Sequence, residues 1–190
     1  MARWEPDARL RLVRAALDLF TEQGYDATTV VQIAERAGLT KSTFFRHFSD
    51  KREVLVAGQD TLCRLLADGI AGTPAEATPM QAVAAGLDAA GEAFTPERRE
   101  LGPRLQAVIA ASGELQERDA LKHTSLAAAI AGALQLRGAP DPAASLAAEI
   151  GVLALKRAYV RWAGAGNEQP FCDLAREALR ELQAASAALG

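Results

Sequence analysis

The sequence predicts an all-α protein of about nine helices, and three observations support that fold class. The apolar content of 49% consists mostly of alanine and leucine, which lead the helix scale, whereas aromatic residues make up only 5%. Apolar residues recur at intervals of three and four between stretches whose Gly, Pro and Thr residues mark helix ends. No stretch alternates with the two-residue period of a half-buried strand.

The first helix is predicted over residues 7–23. Pro6 fits its start and Gly24 its end, because proline favours the first helical position and glycine the position after the last. Its apolar residues at helical spacing are Leu10, Val13, Leu17 and Phe20.

Two short helices follow, joined by a tight turn. Thr29, with a glutamine three residues later, forms a capping box that opens the first of them. Gly38 can end that helix in a left-handed conformation, and Thr40 can cap the second, of about 41–47. Two short helices with a glycine turn, behind a longer helix, are typical of a helix-turn-helix.

The rest of the chain is also predicted to be helical. Asp50 and Glu53 form another possible capping box, which would open a fourth helix near 51–71. Five further helices are predicted between breaks rich in Gly and Pro, at 79–93, 96–111, 114–137, 142–163 and 169–188. We therefore expect a helix-turn-helix domain over residues 1–52 and a second helical domain over residues 53–190.

The net charge of −3 is unevenly distributed. Residues 1–52 carry nine Lys and Arg against seven Asp and Glu, a charge of +2, whereas residues 53–190 carry a charge of −5. A polyanion would therefore meet the N-terminal end of the chain. No apolar run approaches the ~20 residues of a membrane span and the N-terminus lacks a signal-peptide core, so we expect a soluble cytoplasmic protein. The two cysteines, Cys63 and Cys172, have no CxxC spacing and are interpreted as small buried hydrophobes.

The most informative stretch is KSTFFRHF, Lys41–Phe48, which combines aromatic with cationic residues. On a helix Phe44 and Phe48 share one face, which we expect to pack on apolar residues of the first two helices. Those residues are Leu17, Phe20 and Ile33. The other faces carry polar and cationic side chains, namely Lys41, Ser42, Thr43, Arg46 and His47. A helix fixed to a small core on one side, with hydrogen-bonding groups on the other, suits the reading of a DNA major groove.

Phosphate contacts need hydrogen-bond donors at fixed places. Thr29 and Thr40 lie at helix starts, where backbone N–H groups and hydroxyl groups are available to phosphate oxygens. Lys41, His47 and Lys51 can add cationic or hydrogen-bonding contacts to the DNA backbone.

The stretch GYDATTVVQIAERAGLTKSTFFRHFSDKREVLVAG resembles the DNA-binding domain of the TetR/AcrR family of transcriptional regulators. The matching features run through roughly residues 8–56 at fixed spacing: Gly24-Tyr25, Thr28-Thr29-Val30, Ile33-Ala34, Ala37-Gly38-Leu39-Thr40, Thr43-Phe44-Phe45-Arg46-His47-Phe48 and Lys51. The other two thirds of the chain resemble the family only in being a helical domain of variable sequence.

The resemblance implies DNA contacts at named positions. They are Thr28 and Thr29 near a phosphate, Lys41, Ser42 and Thr43 in the major groove, Arg46 on a base or phosphate, and His47 and Lys51 on the backbone. One position departs from the family, which usually has a tyrosine where this chain has Phe45. The tyrosine hydroxyl commonly meets a phosphate. Phe45 cannot donate that hydrogen bond, so it is expected only to press on sugar or on packing surface.

For the second domain the resemblance implies dimerisation. Its last two long helices, about 142–163 and 169–188, would pair with those of a second copy in a four-helix bundle. The homodimer would then read a palindromic operator with two helix-turn-helix units. Apolar residues on more than one helix face support this expectation, namely Leu153, Leu155, Tyr159 and Trp162. Trp162 is expected in the dimer core rather than in the wall of a ligand pocket.

The resemblance also implies a small-molecule effector pocket among the middle helices. Effector binding would relieve repression by changing the separation of the two DNA-reading units. The candidate contacts are Phe94, Arg104 and His123, with Gln106 and Lys122 as further polar candidates. Residues 53–190 hold only four aromatic residues, which favours an aliphatic or small effector over a flat polycyclic one. No cofactor is expected.

Two other function classes compete with this prediction. An enzyme is not supported, because the chain has no HExxH, P-loop, GxGxxG or GxSxG motif. A helical interaction module whose helix-turn-helix has lost DNA binding stays open, because Phe45 lacks the hydroxyl and the N-terminal charge is small. Salt dependence separates the two, since only a protein that neutralises phosphates binds DNA more weakly as salt rises.

Overall fold

The computed structural model describes residues 8–189, so the predicted helix start at Pro6 lies outside the described residues. Within this range the chain forms nine α-helices, one 3₁₀ turn and no strand. The helices are α1 (Ala8–Gln23), α2 (Val30–Arg36), α3 (Lys41–His47), α4 (Gln59–Ala71), α5 (Pro79–Ala90), α6 (Pro96–Ala110), α7 (Gly113–Leu136), α8 (Asp141–Ala163) and α9 (Phe171–Ala187), and the 3₁₀ turn is Gly91–Ala93. The predicted all-α class is therefore confirmed.

The fourth helix differs most from its prediction. It begins at Gln59, and residues 51–58 form turns instead of its first two helical turns. Asp50 does accept hydrogen bonds from the backbone N–H groups of Arg52 and Glu53, at 2.8 and 3.1 Å, as an N-cap would. The carboxylate of Glu53 binds an arginine instead of closing the box. Gly58 then has a φ of 92°, a left-handed conformation that a continuous α-helix cannot contain.

The chain divides into two compact units. The first extends to Ala57 and includes Leu101–Ala120, and the second comprises Gly58–Glu100 and the chain from Leu121 onwards. The first unit thus contains the end of α6 and the start of α7, which lie far beyond the domain boundary predicted at residue 52. The predicted ranges assumed that each domain is continuous in sequence, and these units are not.

The first unit is built around the inner faces of its first three helices. Its buried core includes Leu12, Leu17, Phe20, Ile33, Phe44 and Phe48, together with Leu101, Val108 and Leu115 of the returning segment. Complete burial of a leucine- or phenylalanine-sized side chain contributes roughly 1.5–3 kcal/mol to folding. Of the apolar residues predicted for α1, Leu17 and Phe20 are buried, whereas Leu10 and Val13 are only partly buried. The fully buried Leu12 was not among them.

The second unit is held by close contacts between small residues. At Gly69 and Gly86, α4 and α5 approach so closely that a Cβ on Gly86 would lie 2.9 Å from the carbonyl oxygen of Leu66. Gly151 of α8 faces Val83 of α5 in the same way, at 2.8 Å from its Cγ1 atom. The buried face of α8 is mostly alanine: Ala144, Ala147, Ala148, Ala154 and Ala158. Side-chain size, more than side-chain chemistry, sets the spacing of these helices.

The four aromatic residues of the second unit lie together. The ring of Phe94 stacks on that of Phe171 with centroids 3.6 Å apart, and it meets Trp162 edge-on at 5.4 Å. Tyr159 completes the cluster, 6.0 Å from Trp162. Trp162 and Leu155 are both buried within their own unit. The expectation that Trp162 forms a dimer core is therefore wrong, because a side chain already covered by its own chain has no surface left for a second copy.

Candidate nucleic-acid interface

The turn between α2 and α3 closes with the hydrogen-bond pattern of a Schellman motif. The N–H of Gly38 donates to the carbonyl of Glu35 at 2.9 Å, and the N–H of Leu39 donates to that of Ala34 at 2.8 Å. Gly38 has a φ of 65°, which disfavours any residue with a Cβ. A Cβ at this position would also lie 2.9 Å from Nη2 of Arg11, whose guanidinium binds the end of α2. The left-handed backbone is thus the main reason for glycine here, because the flexible Arg11 side chain can move away from a Cβ.

α3 is fixed to the core of the first unit by the ring of Phe44 and by that of Phe48, the extended residue that follows the helix. Phe44 has no exposed surface and Phe48 is 4% exposed, and their centroids lie 5.6 Å apart. Thr40 caps the helix, because its hydroxyl accepts a hydrogen bond from the N–H of Thr43 at 3.1 Å. His47 is half-buried at the other end, with its ring 6.5 Å from that of Phe48. The predicted packing is confirmed, since both rings share a buried cluster with Leu17, Phe20 and Ile33.

The opposite edge of α3 faces solvent. Lys41, Ser42 and Arg46 are exposed, and Phe45 is 49% exposed. The side chains of Ser42 and Arg46 form no hydrogen bond or ion pair with any residue between 8 and 189. The ammonium group of Lys41 lies 5.9 Å from the centroid of the Phe45 ring. Thr43 is half-buried, with its hydroxyl 3.0 Å from that of the helix cap. One edge therefore combines cationic, hydroxyl and aromatic groups.

The start of α2 distinguishes its two threonines. Thr29 forms the predicted capping box, because its hydroxyl accepts from the N–H of Gln32 at 3.3 Å and its own N–H donates to Oε1 of Gln32 at 2.8 Å. Thr29 is exposed, whereas Thr28 is buried. The hydroxyl of Thr28 donates to the carbonyl of Gly24 at 2.7 Å and accepts from the amide of Gln23 at 3.2 Å. The side chain of Thr28 therefore supports the loop from within, and only Thr29 remains accessible to a phosphate.

The ammonium group of Lys51 is held by the loop between α1 and α2. Nζ donates to the carbonyl oxygens of Tyr25 at 2.7 Å and Thr28 at 3.1 Å, and it lies 3.4 Å from that of Asp26. It also lies 4.1 Å from the centroid of the Tyr25 ring. An ammonium group has three donors, and these three carbonyls use them. Lys51 thus positions the loop that leads into α2, a role that the sequence pattern could not show because its acceptors are backbone atoms.

Charged side chains link residues 101–120 to the helix-turn-helix within the first unit. Nη2 of Arg104 lies 2.6 Å from Oδ1 of Asp18, and Arg118 forms an ion pair with Glu53. Arg104 was a candidate effector contact on the assumption of a continuous second domain. Its guanidinium pairs within the first unit, and an effector contact at Arg104 stays a prediction.

A further link centres on Glu114, at the start of α7. Its carboxylate accepts a hydrogen bond from the Tyr25 hydroxyl at 3.3 Å and lies 3.4 Å from the guanidinium of Arg52, which also binds Asp50. Burial raises the pKa of Tyr25 far above its ordinary value, and the charge and hydrogen bond of Glu114 raise it further. The phenol therefore stays protonated and keeps donating this hydrogen bond at physiological pH.

The remaining effector candidates, Phe94 and His123, belong to the second unit. Phe94 is half-buried in the aromatic cluster, and His123 is half-buried on α7. An open groove of about 590 Å³ runs between α4 and α7, and neither residue lines it. Its walls are Ala67, Asp68, Ala71, Ala128, Ala129, Gly132, Ala133, Leu136 and Arg137. The predicted ligand residues of the second unit therefore lie outside this groove.

Metal-binding clusters, membrane-spanning helices and reactive thiols are the other features that could carry a function. Between residues 8 and 189, no three His, Cys, Asp or Glu side chains lie close enough together to hold a metal ion. No helix described in the structure combines the length and the apolar character needed to cross a membrane. Cys63 and Cys172 are free, half-buried thiols rather than fully buried ones. Burial raises the pKa of both, with help from Asp60 and Asp88 respectively, so neither is poised as a thiolate nucleophile.

Comparison with known proteins points to the same part of the chain. Residues 12–57 match the family model for bacterial regulatory proteins of the tetR family. The chain is 41% identical over 75 residues to the HTH-type transcriptional regulator TcmR of Streptomyces glaucescens, covering 40% of this chain and 33% of that protein. It is 35% identical over 96 residues to the HTH-type transcriptional regulator BetI of Rhizobium meliloti, covering 49% and 47%. The chain thus spans less than half the length of the relatives that it matches.

The whole fold has solved counterparts. The transcriptional regulator FadR of Bacillus subtilis, whose crystal structure contains stearoyl-CoA, superposes with a TM-score of 0.59 over 91% of this chain and 96% of its own. The sequence identity of 16% means that this likeness concerns the fold alone. The family model covers the capped start of α2, the glycine turn and both faces of α3. Over residues 12–57 the chain is therefore similar to the tetR family of bacterial regulatory proteins.

Proposed function

We propose that the chain is a transcription regulator that binds duplex DNA through α3. One observation carries the proposal: α3 is fixed by two buried rings, while Lys41, Ser42 and Arg46 on its other edge are exposed. Lysine and arginine are the side chains that read guanine in the major groove and neutralise phosphates. Serine adds a hydrogen-bonding group that suits either base edges or phosphates.

The salt dependence of DNA binding tests this proposal. Binding of the full chain to a fluorescent duplex of mixed sequence is measured by anisotropy at several salt concentrations. The logarithm of the association constant should fall linearly with the logarithm of salt concentration, with a slope of about −0.9 for each phosphate neutralised. Absence of binding, or binding without a slope, would show instead an interaction module that has lost DNA binding.

Arg46→Ala separates the two roles that this residue can have. If Arg46 contacts a phosphate, the variant weakens binding to all duplexes alike and reduces the salt slope by about 1. If it contacts a base, the slope changes little and discrimination between sequences falls. Arg36→Ala is a matched control, because Arg36 is paired with Glu22 and lies outside α3.

The regulator acts as a homodimer through α8 and α9. Leu146, Leu153 and Val160 of α8 are exposed at intervals of seven residues, as one stripe on a helix whose other face is buried. A second copy that covers this stripe would remove apolar surface from water. It would also place two copies of α3 on the half-sites of a palindrome. Leu153→Asp should yield a monomer in sedimentation experiments, whereas Leu121→Asp, at an exposed leucine of α7, should leave the dimer intact.

A small-molecule effector releases the protein from its operator, and the low aromatic content of the second unit favours an aliphatic one. Stearoyl-CoA is a first probe, because FadR of Bacillus subtilis shares the fold and was crystallised with it. An effector should raise the Tm of the full chain in proportion to the logarithm of its concentration and should lower its affinity for DNA. A compound that raises the Tm without weakening DNA binding is a ligand but not the effector. A regulator of this kind works in the cytoplasm.

A further inference from the structure

Phe45 is the one large apolar side chain on the solvent-facing edge of α3. It is 49% exposed, although the neighbouring Phe44 is fully buried. Its ring is held edge-on against that of Phe44, with centroids 5.6 Å apart and planes at 83°. The ammonium group of Lys41, one helical turn earlier, lies 5.9 Å from its centroid. The exposed half of the ring therefore has a defined orientation on the same edge as the cationic groups.

A phenyl ring on this edge has few partners in DNA. It has no hydrogen-bond donor or acceptor, so it cannot bind a phosphate oxygen or a polar base edge. In the major groove the base edges present acceptors, amino groups and a single apolar group, the C5 methyl of thymine. A ring pressed on an amino or carbonyl group would remove water from that group without replacing its hydrogen bond, which is unfavourable. Only the methyl group gains from contact with the ring.

We propose that Phe45 selects a thymine in each operator half-site by packing on its C5 methyl group. The proposal rests on the proposed function, since it needs α3 to enter the major groove. It adds the identity of one base and the residue that reads it. The lack of a hydroxyl at this position then matters for specificity, because an uncharged apolar ring favours the methyl group and disfavours the polar edges of the other bases.

Uracil scanning of a selected duplex tests the proposal. The full chain is first used to enrich binding sites from a pool of random duplexes. Each thymine of the enriched duplex is then replaced singly by deoxyuridine, which removes only the methyl group. Replacement of one particular thymine in each half-site should lower the affinity of the protein for the duplex about fourfold. This corresponds to the ~0.8 kcal/mol that burial of one CH₂ group contributes. A duplex with 5-methylcytosine at that position should be bound more tightly than the same duplex with cytosine.

Phe45→Ala connects that thymine to the ring. The variant should bind more weakly and should no longer distinguish thymine from deoxyuridine at that position. Arg46→Ala is the control, because it should weaken binding and leave the thymine-to-uracil ratio unchanged. Should Phe45→Ala fail to fold, Phe45→Leu keeps an apolar group of smaller area and should show a reduced ratio.

Three results would overturn the proposal. If no thymine loses more than about twofold on replacement by deoxyuridine, then the ring touches only sugar or protein. If Phe45→Ala keeps the full thymine-to-uracil ratio, another residue reads the methyl group. If no duplex is enriched and binding has no salt slope, the proposed function fails and this proposal fails with it. The first two results leave DNA binding intact, so the two failures are distinguishable.

Discussion

In the first unit, particular side chains are tied to particular backbone atoms, as where Lys51 binds the carbonyls of Tyr25 and Thr28. In the second unit, helices meet through small residues, as where Gly69 and Gly86 bring α4 and α5 into backbone contact. A specific hydrogen bond can be made by few residue types, whereas an Ala- and Gly-lined contact needs only small size. In the first unit the choice of residue type is therefore restricted at many positions. The family model accordingly matches only residues 12–57. Four experiments test this difference.

The largest expected effect is a difference in stability between substitutions at a buried and at an exposed residue of α3. Phe44→Ala should destabilise the protein by about 3–5 kcal/mol, because it leaves a cavity at a fully buried site. Phe45→Ala, at the next residue, should cost only about 1 kcal/mol, because half of that ring is already in water. Urea unfolding of both variants measures the difference. Equal losses would show that the rings of Phe44 and Phe45 are buried to the same extent.

The second experiment tests the close packing of the second unit. Gly86→Ala should cost about 1–3 kcal/mol, because the added Cβ would lie 2.9 Å from a backbone oxygen of α4. Gly132→Ala on α7 is the matched control. A Cβ added there would meet no neighbouring group within 4 Å, so alanine should stabilise the helix by about 0.5–1 kcal/mol. If both substitutions stabilise, α4 and α5 do not pack at the distance described.

The third experiment separates positioning from DNA contact. Lys51→Met should lower the free energy of unfolding by about 1.5 kcal/mol, since it removes a charged donor from three carbonyls. Arg46→Met should leave stability unchanged within about 0.5 kcal/mol, because Arg46 is exposed. Arg46→Met should weaken DNA binding without any change in stability. Any loss of DNA binding by Lys51→Met should instead accompany its loss of stability. A stable Lys51→Met variant with a reduced salt slope would show that Lys51 contacts a phosphate, as the resemblance implies.

The smallest effect concerns Asp50 and pH. Burial alone would raise the pKa of Asp50. Hydrogen bonds from the Arg52 guanidinium and from the backbone N–H groups of Glu53 and Arg52 outweigh the effect of burial, so the pKa lies below its ordinary value. A carboxyl whose pKa is lower in the folded state stabilises that state above its unfolded pKa of about 3.9, and this contribution is lost as pH falls through the folded pKa.

Asp50→Asn should therefore be slightly less stable than the parent at pH 7, and the difference should shrink as the pH is lowered from about 5 to about 2. Unfolding in urea at several pH values measures it. A difference that grows on acidification would contradict the assigned direction of the pKa.

Local features were the ones that the sequence predicted best. The capping box at Thr29, the glycine turn and the burial of Phe44 and Phe48 depend on residues at most four positions apart, so their spacing is visible in the chain. The start of α4 was misplaced because a capping pair at Asp50 fits both a helix and the turns that form there. Only the left-handed Gly58 distinguishes the two.

Contacts between residues far apart in the chain could not be predicted from the spacing of residues in the sequence. Arg104 and Asp18 are 86 positions apart, so nothing local indicated that Arg104 belongs to the first unit. Trp162 is apolar and lies on a helix of the predicted dimer interface, and only the aromatic cluster shows that its own chain covers it. The exposed edge of α3 was predictable, because a helix that packs on the core through one face leaves the opposite face to solvent. Thr43 and His47, between the two faces, are half-buried.

A crystal structure of the full chain with its enriched duplex tests the central claim most directly. We expect α3 to lie in the major groove, with side-chain donors of Lys41, Ser42 or Arg46 about 3 Å from base edges or phosphates. Phe44 and Phe48 should remain buried in the first unit. A complex in which α3 faces away from the duplex, while another surface binds the DNA, would contradict that claim.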